Sequence, residues 1–590
     1  MKQFLKTTLA SMLGFFLSII LLIVLFIFLA AGIIFFAGSS KPVSINSGSV
    51  LEISLDQPIP ERTSGNPFKG FDFGSFEQHR PIGLNDILEN IRKAKNDEKI
   101  KGIYLDLSTV RAGFGTIEEI RSALLDFKTS GKFIYAYSEA YSQGAYYLAS
   151  ASDKIFLNPQ GMLDFRGLSS EIMFFRGSLQ KLEIDMQVIR HGKFKSAVEP
   201  YILDKMSDEN RKQVSGFLQA TWDHLLEGIS KARGVDIPAL KRLADNMAVR
   251  TPGEALKNKM IDGITFKDEV LSGLKRKLGI KESEDISFVT LNKYLRVPET
   301  SKNSTYRRDK IALIYAAGTI LSGEGDDESI GSEKLSETIR KASKDKAVRA
   351  IVLRVNSPGG SALASDVIWR EVALARREKP VVVSMGDVAA SGGYYISCAA
   401  SSIIAEPTTI TGSIGVFGVV PNIRELLKNK LGITVDTVKT GRMADMGSLS
   451  RPLSPDEKNI LQHYVEMTYD TFLTRVAEGR KMKKEDVDSI GQGRVWSARD
   501  AKNNGLVDSL GGISDAIALA AKMANTSSYR IVSLPEEKEF LRQLLDFADN
   551  METSVLQSKL GEVFRYYHSA ESLRDIKGIQ ARMPYDISVY

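Results

Sequence analysis

The sequence predicts an α/β protein made of two tandem copies of one unit behind an N-terminal transmembrane helix. Three observations carry this: a long charge-free apolar run at the start, a self-similarity at an offset of 248 residues, and, within each copy, short β-branched runs alternating with segments of helical spacing. Such alternation points to parallel strands covered by helices.

The N-terminus comes first. Lys2 and Lys6 are followed by no charge until Lys41, and the apolar run from Leu9 to Ala37 exceeds the ~20 residues that cross a bilayer. A cleaved signal peptide has an apolar region of only about 7–15 residues, so residues 1–45 are expected to be an uncleaved single-pass anchor. Basic residues stay on the cytoplasmic side, which places the chain after about residue 40 on the outer side. Composition excludes other classes. The 78 basic and 72 acidic residues are well mixed and give a net charge of +6, with no basic block of the kind that grips nucleic acid. No zinc-ligand spacing and no phosphate-binding glycine loop occurs, so no metal or cofactor is expected. The single cysteine, Cys398, forbids an intrachain disulfide and lies in "YYISCAAS", where it reads as a small buried hydrophobe.

The repeats follow. "IGLNDILENIRKAKNDEKIKGIYLDLS" at 82–108 lies over "IGSEKLSETIRKASKDKAVRAIVLRVN" at 330–356, and "GAYYLASAS" at 144–152 lies over "GGYYISCAA" at 392–400. Near "TPGEALKNKMIDGI" at 251–264 the offset drifts to 246. A period this long means duplicated domains, not a solenoid. In each copy the first stretch has apolar residues at helical spacing. "IKGIYLDL" and "VRAIVLRV" read as buried strands, and "KFIYAYS" and "KPVVVSM" as the next ones. The first repeat is expected over 46–300 and the second over 301–540, joined near the polar "VPETSKNSTYRRDK". Residues 541–590 read as a helical extension with no chemistry to assign.

The copies differ where chemistry would sit. Ser391 in "DVAASGGYY" falls over Gln143, and Gly359 and Gly360 of "NSPGGS" fall over Arg111 and Ala112. Glycines after a strand let backbone N–H groups point at a bound carbonyl. In the reverse sense, Lys195 of "HGKFKSAVEPY" falls over Ala444 of "TGRMADMGSLS". A lysine in one copy and a serine in the other are the two halves of a Ser–Lys dyad. The amine serves as a base once burial has lowered its pKa. Each residue has a plainer reading, Ser391 and "PGG" as turns and Lys195 as a solvated surface lysine.

"DVAASGGYY", "NSPGG", "TGSIGVFG", "GKFKSAVEPY" and "TGRMADMGSLSRPLS" together resemble the long two-repeat form of signal peptide peptidase A, also called protease IV. The resemblance runs from the anchor to about residue 530. It implies a Clp-protease/crotonase-like fold for each repeat and a membrane-bound serine endopeptidase that degrades cleaved signal peptides. It also implies a homotetrameric ring, with the catalytic part on the periplasmic side of the bacterial cytoplasmic membrane. Position by position, it makes Ser391 the nucleophile, Lys195 the general base and Ser413 of "TGSIG" the support of the amine. Gly359 and Gly392 are the candidate oxyanion donors. Signal peptides and other apolar peptides are the expected partners.

Two other readings stand beside this one. Crotonase-like enzymes that hydrate or isomerise acyl-CoA share the scaffold, and a duplicated but inactive fold would serve as a membrane scaffold. Binding of CoA without peptide hydrolysis would favour the first. The second fits the copy that lacks the serine better than the copy that has it.

Overall fold

The computed structural model describes residues 2–38, 44–64, 71–72, 77–78, 81–298, 308–326, 328–536 and 578–583. Helix α1 (Lys2–Gly38) is continuous over 37 residues. In the part expected as an anchor, the side chains of positions 26–38 lie outside the described residues, and among the described residues no helix is long and apolar enough to cross a membrane.

The first copy builds a parallel sheet from β1 (Ser49–Ile53), β2 (Ile100–Asp106), β3 (Phe133–Tyr141), β4 (Lys154–Leu163), β6 (Gly263–Ile264) and β7 (Phe288–Thr290), in the order β6-β4-β3-β2-β1-β7. Strand β5 (Asp185–Arg190) leaves this sheet. The second copy repeats the plan with β8 (Lys310–Ala317), β11 (Val348–Ser357), β13 (Val381–Ala390), β14 (Ser402–Ala405), β15 (Ile410–Gly412), β18 (Ser509–Leu510) and β19 (Arg530–Leu534). Its spine runs β15-β13-β11-β8-β19 in parallel, with β14 beside β13, and β17 (Val495–Ser497) closes it antiparallel to β15. Strand pairing shows the equivalence of the copies: β1 lies parallel on β2 as β8 lies on β11.

The strands are buried on both faces, as parallel strands under helices must be. Ile351, Val352 and Leu353 of β11 are fully shielded, as are Val382 and Val383 of β13. Helix α2 (Leu84–Asn96) buries Leu84, Ile87, Ile91 and Ala94 on one face, and α7 (Ser332–Lys344) buries Leu335, Ile339 and Ala342 at matching positions. Helix α6 (Lys267–Leu278) covers the other face of the first sheet, with Val270 and Leu274 packed among Tyr104 and Tyr137. Helices α3 (Phe114–Lys128) and α8 (Ala362–Glu378) also correspond, as do α4 (Gln143–Ala149) and α9 (Gly392–Ser397). The long α5 (Asp208–Arg233) and α10 (Pro455–Arg480) both start at a serine cap, Ser207 and Ser454, whose side chain accepts from the N–H three residues on. Such caps satisfy amides that the helix leaves free.

A third sheet joins the copies. Its order is β10 (Ser329–Gly331), β9 (Thr319–Leu321), β12 (Gly359–Ser361), β20 (Gln580–Arg582), β16 (Phe417–Asn422) and β5. Strand β5 of the first copy pairs antiparallel with β16 of the second, from Phe417–Arg190 to Asn422–Asp185. The expected helical extension over 541–590 lies mostly outside the described residues. Where it is described it is corrected: Gln580–Arg582 is a strand, not a helix. The open edges of β12 and β16 supply backbone partners on both sides, and an extended segment satisfies them where a helix would not.

Candidate active site

Strands β13 and β15 run side by side in parallel, with Ala390 opposite Gly412. Their next residues, Ser391 and Ser413, therefore leave the same edge of the sheet together. Both take a positive φ, 56° and 50°, a conformation that costs a non-glycine residue on the order of 1–3 kcal/mol. The Ser391 N–H donates to Gly412 O at 2.8 Å and the Ser413 N–H to Arg494 O at 2.7 Å, so backbone bonds hold each turn. Helix α9 starts at the residue after Ser391.

Lys195 arrives from the other copy. It lies five positions beyond the end of β5, and the pairing of β5 with β16 carries it to the turn that follows β15. Its Nζ donates to Ser391 Oγ at 2.7 Å, to Ser413 Oγ at 3.0 Å and to Ser413 O at 3.1 Å. Lys195, Ser391 and Ser413 are all fully shielded from solvent. Among the described residues no carboxylate pairs with the amine; burial alone holds it well below the usual lysine range. A neutral amine can take a proton, which an ammonium cannot. Ser391 Oγ also donates to Gly415 O, at 3.4 Å. His191, four positions before Lys195, is not part of this set: its ring stacks on Tyr469 at 4.1 Å.

Three further groups hold the lysine stem, and the repeat comparison did not single them out. A Cβ at Gly493, where φ is +80°, would lie 2.6 Å from Lys195 Cβ, and one at Gly415 would lie 3.2 Å from Lys195 Cδ. Both glycines are therefore walls of the channel that the side chain threads. Gln213 on α5 donates to Phe194 O at 3.2 Å and to Ser196 Oγ at 2.7 Å, and accepts from the Val495 N–H at 3.1 Å. One amide thus ties the lysine loop of the first copy to β17 of the second.

The glycine candidates separate. Gly359 needs its φ of +96° and has no room for a side chain, since a Cβ there would lie 2.6 Å from Gly392 N. Its own N–H, however, donates to Ser357 Oγ at 3.1 Å. As an oxyanion donor it is therefore already engaged, because the amide of a residue that turns into β12 faces back along the strand. Gly392 follows Ser391 directly and packs against Ser365 Oγ and Gly359 Cα, at 2.7 and 3.1 Å from where its Cβ would be. In the first copy the equivalent position is filled. Gln143 accepts from the N–H groups of Arg166 and Gly167 at 3.0 and 2.8 Å and donates to Gly167 O at 2.7 Å. It closes a loop there, and no hydroxyl stands in its place.

A buried ionic cluster lies behind the site. Arg354 on β11 pairs with Glu61 at 2.8 Å and Glu119 at 2.6 Å, both from the first copy. Glu61 also accepts from Asn356 Nδ2 at 2.7 Å, and Glu119 from the Ile513 N–H at 2.7 Å. Asp387, four residues before Ser391, accepts from the N–H and Oγ1 of Thr116, both at 2.8 Å. Burial pushes the Asp387 and Glu119 carboxyls above the usual carboxylate range.

Comparison with known proteins identifies the family of the chain. The model of Peptidase family S49 matches the chain twice, over residues 126–281 and 373–527. Protease 4 of Salmonella typhi is 37% identical over 524 residues, covering 86% of this chain and 83% of that protein. The chloroplastic serine protease SPPA of Arabidopsis thaliana is 34% identical over 544 residues, covering 91% of this chain and 78% of that one. A shorter protein of Enterococcus faecium, provisionally named signal peptide peptidase SppA, is 35% identical over 249 residues, covering 40% of this chain and 72% of its own length.

Proposed function

The chain belongs to peptidase family S49 and is a serine peptidase; from that premise we propose that it is a membrane-anchored endopeptidase with a Ser391–Lys195 dyad that degrades cleaved signal peptides. The observation that carries the dyad is the 2.7 Å contact between Lys195 Nζ and Ser391 Oγ inside a fully buried pocket. Lys195 takes the Ser391 proton as Oγ attacks the peptide carbonyl. Two Ser413 oxygens accept from the amine and fix its direction. The Gly392 N–H stabilises the oxyanion, and the protonated lysine then delivers its proton to the leaving amine. Water, deprotonated by the same lysine, hydrolyses the acyl-enzyme.

Signal peptides as substrates are supported by the motifs in the sequence and by the name of the Enterococcus relative. The charge-free run from Leu9 to Ala37 supports a single-pass anchor in a bacterial cytoplasmic membrane. With Lys2 and Lys6 inside, the body would face the periplasm. Self-association, as in the homotetramer that the family resemblance implies, is supported by apolar side chains left in solvent between β16 and α10: Leu431, Ile433, Val435 and Val438, the last 98% exposed.

The test is cleavage of a signal-like peptide by the full chain in detergent. Ser391→Ala and Lys195→Ala are each expected to lower kcat/KM by at least about 10²–10⁴-fold with unfolding transitions close to wild type. Undiminished cleavage in either variant rules the dyad out.

A further inference from the structure

A cavity of about 990 Å³ opens between the two copies, and neither Ser391 nor Lys195 lines it. Its first-copy walls are α2 and α3. Its second-copy walls are β8, the loop after β14 and the start of α11 (Ile513–Met523). The lining holds six carboxylates and two guanidiniums. Five of the six carboxylates are engaged. Glu89 pairs with Arg92 at 2.5 Å, Asp126 with Lys95 at 2.7 Å and Glu119 with Arg354 at 2.6 Å. Asp86 accepts from Asn85 Nδ2 at 3.0 Å, and Asp515 from the Gly512 N–H at 2.9 Å.

Glu406 is the exception. It follows β14 directly, is 4% exposed, and its carboxylate has no hydrogen-bond or ion-pair partner among the described residues. Its Oε1 and Glu119 Oε2 lie 2.6 and 2.7 Å from the one point where a Cβ on Gly512 would be, so the bare glycine lets two carboxylates close in. Glu118 and Glu119 of α3, Asp515 of α11 and Arg354 of β11 are the charges that face Glu406. Arg354 is already shared between Glu119 and Glu61. Burial, and then the neighbouring carboxylates, push the Glu406 carboxyl well above the usual range. A buried carboxyl without a partner either keeps its proton or takes a cation. The lining decides which cation fits. Among the described residues no group of three or more His, Cys, Asp or Glu side chains is placed to hold a metal ion. Beside the carboxylate, Leu88, Leu313, Ile513 and Ile517 form an apolar wall. A pocket of this size, apolar with a few polar anchors, suits an organic ligand.

We propose that this cavity binds an aliphatic organic cation, an ammonium or guanidinium on a methylene arm, with Glu406 as its anchoring carboxylate. The charged head replaces the proton on Glu406, which leaves to solvent. The arm lies along the apolar wall, where burial of its methylene groups adds affinity. A ligand seated there touches α2 and α3 of one copy and β8 and α11 of the other. It therefore binds only the docked copies and stabilises their junction. Two sources carry this chemistry, a free amine and a lysine side chain presented by a peptide. The site lies outside the proposed dyad and does not depend on the peptidase reading.

The experiment is calorimetric titration of the full-length protein in detergent, as wild type and as Glu406→Gln. The probes are 1,5-diaminopentane, agmatine and Nα-acetyl-lysine methylamide, with 1-pentanol as the neutral control. At least one cation is expected to bind the wild type, and Glu406→Gln should weaken it at least about tenfold, as the loss of a charge-assisted contact implies. The bound cation should also raise the denaturant midpoint of the wild type and not that of the variant. Binding of the two free amines alone assigns the site to a small molecule, and binding of the acetyl-lysine probe assigns it to a peptide side chain; both uphold the proposal. Ile517→Trp fills the apolar wall without touching a charge, so it should weaken binding too, and it decides the matter if Glu406→Gln does not fold. No binding of any cation to the wild type at up to about 10 mM overturns the proposal. So does equal affinity in the folded variants, or binding of 1-pentanol as tight as that of the cations.

Discussion

Lys195 carries an uncommon burden for a lysine. It is fully buried without a counter-ion among the described residues, and desolvation holds its pKa well below the usual lysine range, the direction that the proposed general base needs. The amine is competent only when deprotonated, so kcat/KM is expected to rise with pH through its folded-state pKa and then level off. Stability follows the same sign. Between the lowered folded pKa and the unfolded value near ~10.4, the unfolded chain binds the extra proton, so stability rises with pH across that window. Lys195→Met, which removes the buried amine and keeps its length, should therefore be inactive. Its stability relative to wild type should be most favourable below the folded pKa and should decline as pH rises, which denaturant titrations at several pH values would read. Ser413→Ala is a milder change. It removes one buried acceptor from the amine, worth about 0.5–1.5 kcal/mol. It should lower kcat/KM by up to about tenfold, with the acid limb of the pH profile displaced if Ser413 tunes the amine rather than only packing.

At the scale of elements, the site depends on strands from one copy lying in the sheets of the other. Strand β5 on β16 delivers the lysine loop, and β13 beside β15 delivers the two serines. The Arg354 cluster clamps the copies behind these strands. Arg354 is fully shielded, and two first-copy carboxylates converge on it. Removing one partner of a buried ion pair costs about 3–5 kcal/mol, because it strands charge in the interior. Arg354→Ala should therefore destabilise the protein by that amount, read as a lowered denaturant midpoint, and should weaken activity through the displaced β13. Glu61→Gln, which leaves Glu119 on the arginine, is expected to cost less.

For the whole molecule, duplication lets a single chain supply both halves of the proposed dyad. The Lys195–Ser391 contact lies within one polypeptide, so catalysis does not need a second chain to complete the pair. The exposed apolar stretch from Leu431 to Val438 is the surface that assembly would cover. Val435→Asp with Val438→Asp should convert a tetramer into smaller species in light scattering after gel filtration, while the smaller species still cleaves peptide. A wild-type protein that runs as a monomer in detergent would remove the case for the ring.

Much of this was legible in the chain itself, for identifiable reasons. Helical spacing in "LNDILENIRKAKND" and β-branched runs such as "VRAIVLRV" report local burial, so α2, α7 and β11 could be read from them. Duplication turned the sequence into its own comparison and made the missing serine at Gln143 and the extra amine at Lys195 visible as differences. Contacts between residues distant in the chain were not legible. Nothing local tells that Gly493 walls the Lys195 stem, that Gly359 turns its amide onto Ser357, or that Glu61 closes on Arg354. The "QARM" segment shows the limit most clearly. As a sequence it looked like part of a helical tail, because its strand character comes from the two open edges that it meets and not from its own side chains. The sequence by itself determined the duplicated α/β plan and which residues are chemically able to react. Only the tertiary structure decided their distances, the depth at which the lysine lies, and the strand at Gln580–Arg582, because each of these is set by packing between segments that are far apart along the chain.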